Sequence, residues 1–288
     1  MENANGGMEG KVVLITGGTS GIGQAAAMAL AGMGAEVVVS GRNKERGEAA
    51  VREIRRQSGS EKVSLMLADL AVQAEVRGLA DEFRERHDRL DVLVNNAGLI
   101  QSKRTETPDG IELTLAVNHL APFLLTNLLL DLLKGSAPSR IITVSSEARR
   151  GAELDFDDLQ SRRRYRAFPV YGMTKLANIL FTYELAERLR GTGVVANCLH
   201  PGGVNTNFGH NNRSIGILLF RAFKPFMRTP EHGADTIVYL ASSREVDGVS
   251  GKYLMDRKEV SRAQPRDEAL QKRLWEVSEE LTDLKVPS

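Results

Sequence analysis

Tyr171 and Lys175 stand four residues apart, a spacing that sets both side chains on one face of a helix. A phenol ordinarily ionises near pH ~10, too high for a base at neutral pH. A cation within a few ångström favours the phenolate and lowers that value into the range of proton transfer. Ser145 and Ser146, at the end of an apolar run, add a hydroxyl suited to binding a carbonyl oxygen. Asn118, within Val117-Asn118-His119-Leu120, is placed to hold a helix water that passes a proton to Lys175. An isolated Tyr-x-x-x-Lys is as a rule a surface pair, so the set implies chemistry only if the chain also binds something to react.

A second constellation supplies that partner. Thr16-Gly17-Gly18-Thr19-Ser20-Gly21-Ile22-Gly23 follows an apolar strand and opens an alanine-rich helix. Gly17, Gly21 and Gly23 let the chain turn tightly and bring backbone N–H groups to a pyrophosphate, where the helix dipole favours anions. The spacing is G-x-x-x-G-x-G, and glycine at a strand–helix turn also occurs for packing alone. Arg42 lies 19 residues past Gly23 at the end of the next strand, followed by Lys44 and Arg46. An acid there would select NAD, whereas an arginine accommodates the 2′-phosphate of NADP. The expected cofactor is therefore NADP(H), the competing reading of Arg42 being a solvated helix start. Asp69 and Leu70, then Asn95, Ala97 and Gly98, end later strands and read either as turn residues or as the walls of an adenine site.

These groups need a scaffold. Short apolar runs at 12–16, 37–40, 63–68, 92–95, 141–145, 194–199 and 252–255 alternate with helical patterns at 23–32, 44–57, 73–86, 111–133 and 171–190. Strands that are apolar throughout suit a parallel sheet covered on both faces. The prediction is one α/β domain over 1–288, doubly wound, with ligands beyond the carboxyl ends of the strands. Residues 1–9 read as a flexible terminus.

Composition narrows the function from the other side. Lys and Arg number 38 against 37 Asp and Glu, a net +1 that argues against a nucleic-acid or anionic-membrane binder. The single cysteine, Cys198, excludes an internal disulfide and a cysteine-rich zinc site, and reads as a buried small hydrophobe. Residues 1–10 carry no signal peptide, and 120–133 is interrupted by Pro122, Asn127 and Asp131, so the expectation is a soluble, cytoplasmic protein without an integral membrane segment.

Taken in order, the motifs resemble the short-chain dehydrogenase/reductase superfamily: TGGTSGIG at 16–23, ADL at 68–70, NNAG at 95–98, Asn118, VSS at 144–146, YGMTK at 171–175 and PGGV at 201–204. The resemblance implies a Rossmann fold, with Tyr171 the acid/base, Lys175 its partner and a nicotinamide-ribose ligand, Ser146 the catalytic serine and Asn118 the relay residue. It also implies cofactor contacts at Gly17, Thr19, Ser20, Gly21, Ile22, Gly23, Arg42, Asp69, Leu70, Asn95, Ala97, Gly98, Pro201, Gly202, Val204 and Thr206. DVLVNNAG at 91–98, NHLAPFLLT at 118–126 and YGMTKLANILFTYELAERL at 171–189 are similar to the retinol-dehydrogenase-like branch, as is the insertion at 151–168. The N-terminal membrane anchor common among its vertebrate members is not read here.

The implied activity interconverts a ketone or aldehyde with its alcohol, on a small apolar substrate. The alternatives are a C=C reductase of the protochlorophyllide-reductase-like type and a non-catalytic NADP(H)-sensing protein. Homo-oligomers through the 111–133 and 171–190 helices are common among relatives. His119 and His200 read as packing histidines, and Arg162–Arg164 as a solvated loop face. The amphipathic segment 213–228, inside a substrate-covering region at 205–230, carries three readings: lid over an apolar substrate, core helix, or interfacial membrane contact.

Overall fold

The computed structural model describes residues 7–203, 228–260 and 267–284. Val12–Thr16 (β1), wholly buried, leads through a glycine loop into Gly21–Gly32 (α1). Glu36–Gly41 (β2), Lys44–Ser58 (α2), Val63–Leu67 (β3), Gln73–Arg86 (α3) and Val92–Asn95 (β4) repeat the alternation. A helical stretch of four pieces follows, then Ser139–Val144 (β5), Ala167–Arg188 (α7), Val194–His200 (β6), Pro230–Ser242 (α8), Tyr253–Met255 (β7), Lys258–Glu259 (β8) and Glu268–Thr282 (α9). The strands form one sheet in the order β3-β2-β1-β4-β5-β6-β7-β8, parallel except for β8.

Order reverses between β1 and β4, so their carboxyl ends open a crevice between helices that leave in opposite directions. One core joins β1 and β2 to α1 and α8. The other packs the opposite face against α3, α7 and α9, where Phe123, Phe181 and Trp275 meet at 5.0–5.9 Å between ring centroids. The last helix thus packs across α7 and the helical stretch that follows β4.

The single helix expected at 111–133 is instead broken. Leu113–Leu115 (α4) passes into a π turn at Ala116–Leu120, then Ala121–Leu128 (α5) and Leu130–Gly135 (α6). Pro122 explains the break: without an N–H, it cannot bond the Asn118 carbonyl four residues back. The chain closes a wider bond from the Ala121 N–H to the Ala116 carbonyl. The insertion at 151–168 forms no helix or strand up to residue 166, yet Leu159 and Tyr165 pack on Ile111, Leu115 and Met173.

At the far end of the sheet Asp91 is buried and accepts hydrogen bonds from Lys11 Nζ, the Val12 N–H and Arg89. Burial alone would raise its pKa, but these donors together hold the carboxyl below its ordinary value. A lowered folded pKa means stability that is present above the carboxylate range and lost as pH falls through it. Asp91→Ala should cost about 1–3 kcal/mol, the penalty of a buried donor left unpaired, and should flatten the acid limb of stability. Urea unfolding of both proteins between pH 3 and 7 checks this.

Candidate active site

The glycine loop is shaped by what a side chain would strike. Gly17 has φ +64°, and a Cβ there would lie 2.9 Å from Ala97 Cα. A Cβ on Gly23 would lie 2.5 Å from the Gly17 carbonyl oxygen. Asn96 fixes this crossing: its Nδ2 donates to the Thr16 and Gly17 carbonyls at 2.9 and 3.2 Å, while Thr16 Oγ1 accepts from the Asn96 and Ala97 N–H groups. The N-terminus of α1 follows at Gly21, and Ser20 makes no side-chain cap, so its first N–H groups face the crevice. Beside it a cleft of about 360 Å³ is lined by Thr19, Ser20, Gln24, Arg46, Ala49 and Ala50. An uncapped helix start, a bare glycine turn and a cationic cleft wall fit a dinucleotide phosphate.

At the end of β5 the reacting groups assemble. The Tyr171 and Ser146 hydroxyls are hydrogen-bonded, and Ser146 Oγ also accepts from the Ala148 N–H at 3.2 Å. Lys175 is buried; its Nζ donates to the Val144 carbonyl at 2.9 Å and lies 5.6 Å from the centre of the Tyr171 ring. Asn118 Oδ1 accepts from the Leu99 N–H at 2.8 Å, and its Nδ2 donates to the Leu99 carbonyl and Thr174 Oγ1. A Cβ on Gly98 would lie 3.3 Å from Asn118 Oδ1 and 3.4 Å from Lys175 Nζ, so this glycine keeps the crevice floor open above both.

Electrostatics overturn one expectation. Packing around the Tyr171 hydroxyl pushes its pKa up to about 12, with the Ser146 bond opposing, rather than down. Burial likewise lowers Lys175 to about 8. Desolvation disfavours both charged forms, and the ammonium is turned to the Val144 carbonyl, so the pair holds a neutral phenol, an acid ready to donate.

Residues 11–215 match the model of the short chain dehydrogenase family. The chain belongs to that family. It is 45% identical to human retinol dehydrogenase 14 over 295 residues, covering 96% of this chain and 88% of that protein. A crystal structure from Mycobacterium paratuberculosis superposes with TM-score 0.80 at 31% identity, covering 99% and 97% of the two chains. A short chain dehydrogenase from Burkholderia cenocepacia in complex with NADP gives TM-score 0.69 at 27% identity, over 86% and 96%. The family makes this dehydrogenase an oxidoreductase between alcohol and carbonyl that works with a nicotinamide cofactor.

Within the dehydrogenase, most sequence-chosen residues gather along one crevice. Arg42 stands 4.0 Å from Asp69 across the ends of β2 and β3, and Leu70 packs into the core behind. Asn95 departs from expectation: its side chain is buried and donates to Thr126, tying β4 to α5 rather than reaching the cleft. Both Asn118 Nδ2 hydrogens go to Leu99 and Thr174, which holds the turn, while Oδ1 takes the Leu99 N–H on one of its two lone pairs. Pro201 and Gly202 follow the end of β6, with Gly202 at φ +82° against Arg228. Val204, Thr206 and residues 205–227 of the lid region lie outside the described residues. His119 and His200 are packed in the protein, and burial lowers each pKa to about 4. Among the described residues no helix is long and apolar enough to cross a membrane.

Two residues escaped the sequence reading as site residues, Asn96 and Gly172, whereas Arg46, already expected near the 2′-phosphate, lines the cleft. Asn96 had a signal, a polar side chain one position from a chosen one. Gly172 had none, since its constraint is a contact 24 residues away: a Cβ there would lie 2.4 Å from the Ala148 carbonyl oxygen. That closeness is what brings Tyr171 against Ser146. Gly172→Ala must push α7 from the β5 loop, and overpacking of this kind costs about 1–3 kcal/mol. The expected result is a kcat reduced about tenfold or more with an unchanged Kd for the cofactor, measured by steady-state kinetics and fluorescence titration.

Proposed function

We propose that the protein is an NADP(H)-dependent dehydrogenase/reductase that interconverts a lipophilic aldehyde or ketone with its alcohol. The observation that carries this reading is the Ser146–Tyr171 hydroxyl pair backed by buried Lys175, opening on the glycine crevice. NADPH held in this crevice would supply the hydride for a carbonyl carbon. Ser146 and Tyr171 direct two hydroxyls at the carbonyl oxygen, and the neutral Tyr171 phenol donates the proton that completes the alcohol. In the oxidative direction the same oxygen takes the proton back. Lys175 holds the ribose and restrains the charge that develops on Tyr171. The walls position the substrate, and orientation of this kind is a large part of such rate enhancements.

Preference for the phosphorylated cofactor is read from Arg46, which lines the cleft with Thr19 and Ser20, and from Arg42 at the neighbouring strand end. The Burkholderia relative, solved in complex with NADP, supports it. Retinol is the substrate named for the curated relatives, and an apolar substrate agrees with the amphipathic sequence at 213–228.

Three outcomes follow. Tyr171→Phe should bind NADPH as the wild type does and lose turnover, measured as NADPH consumption on a carbonyl panel; retained turnover contradicts the role. Arg46→Ala should weaken NADPH roughly ten- to hundredfold more than NADH, the loss of one hydrogen bond to a charged group; equal weakening returns Arg46 to the solvated face. Across aldehydes of increasing chain length, and retinal, kcat/KM should rise with length and the product should be the alcohol by mass and NMR.

A further inference from the structure

His119 is a buried imidazole that the reaction does not use, and it sits beside Asn118 in the π turn. A polar ring taken wholly out of water is stable only when its nitrogens are paired. Its Nε2 lies 2.9 Å from Ser278 Oγ on α9, and its Nδ1 lies 3.4 Å from Asn178 Oδ1 on α7. Asn178 continues inward: its Nδ2 donates at 3.4 Å to the Val144 carbonyl, the same oxygen that receives Lys175 Nζ at 2.9 Å. One chain of buried polar contacts therefore runs from the last helix to the acceptor on which Lys175 hangs.

We propose that His119 is a positioning residue for the proton-transfer site, latched by Ser278, so that the C-terminal helix holds the Asn118 turn and the Val144 carbonyl in register with Lys175. Two independent features support it. A π turn gives up the ordinary helical bond pattern, and here side chains brace it from both sides: Asn118 reaches Leu99 and Thr174, His119 reaches α7 and α9. The latching helix is itself anchored away from the site, by Trp275 against Phe123 and Phe181 and by Arg77 Nη2 donating to the Thr282 carbonyl at 2.7 Å. It lies beyond residue 215, where the match to the family model ends, so this support is built from a part of the chain that the model does not contain.

The inference rests on the reading of Tyr171 and Lys175 as the proton-transfer pair, and the test separates the two. Ser278→Ala and His119→Leu should each lower kcat about five- to tenfold, the worth of one buried hydrogen bond, with KM for NADPH within twofold of the wild type. His119→Gln, which keeps a polar end for Ser278, should recover at least half of kcat. Trp275→Phe loosens the same helix without touching the chain, and should lower Tm while leaving kcat unchanged well below it. A wild-type kcat in Ser278→Ala overturns the latch. So does a kcat in Trp275→Phe that falls as far as in Ser278→Ala, which makes helix stability the cause. Turnover surviving in a parallel Tyr171→Phe assay overturns the proton-transfer reading itself.

Discussion

A buried ammonium held by a main-chain carbonyl is the constraint on which the rest of this site depends. Lys175 is taken out of water on α7 and donates to the Val144 carbonyl at the end of β5. A cation in such surroundings is tolerated only where its acceptor is fixed, and the last residue of a fully paired central strand is among the most rigid places in the fold. The sheet thus sets Lys175, Lys175 sets the face of α7, and that face sets Tyr171 one helical turn earlier.

Close approach does the remaining work. Tyr171 meets Ser146 only because Gly172 lets the helix backbone come against the Ala148 carbonyl, as Gly17 and Gly23 let α1 come against β1 and β4. The glycine crossing lies at the carboxyl ends of β1 and β4, which flank the reversal of strand order, and the Gly172 crossing lies beyond β5, the strand paired to β4. Cofactor crevice and proton donor share one wall for that reason. Gly98, at the end of β4, is the shared stone: it borders Asn118 and Lys175 together.

Strands and crossovers were legible because their cause is local. A five-residue run such as Val12–Thr16, apolar up to its last residue, can be satisfied only between two helical layers, and Gln73–Arg86 carries its period in its own residues. Ser146, Tyr171 and Lys175 stood out through their order along the chain, and the fold brings the three together. What escaped was set by contacts distant in sequence. Residues 111–133 are apolar at helical spacing throughout, yet the register slips at Asn118, held by Leu99 and by Ser278, 159 residues beyond His119. Pro122 was the one local sign of it. The ionisation of Tyr171 was misjudged for a related reason: spacing placed a cation nearby, but the balance turned on how much water the fold removes.

If Lys175 is the keystone, its charge should govern use of the cofactor. Burial lowers it to about 8, while His119 and His200 titrate near 4, well outside that window. The direct measurement is kcat/KM for NADPH against pH, with a saturating aldehyde and circular dichroism to confirm the fold at each point. A lowered lysine is charged below its pKa, so the account predicts a plateau to about pH 7 and a fall approaching tenfold per unit above about 8. A Lys175→Arg enzyme should carry its plateau higher, since guanidinium does not lose its proton there. A wild-type profile that stays flat to pH 9.5 would contradict the central role given to Lys175.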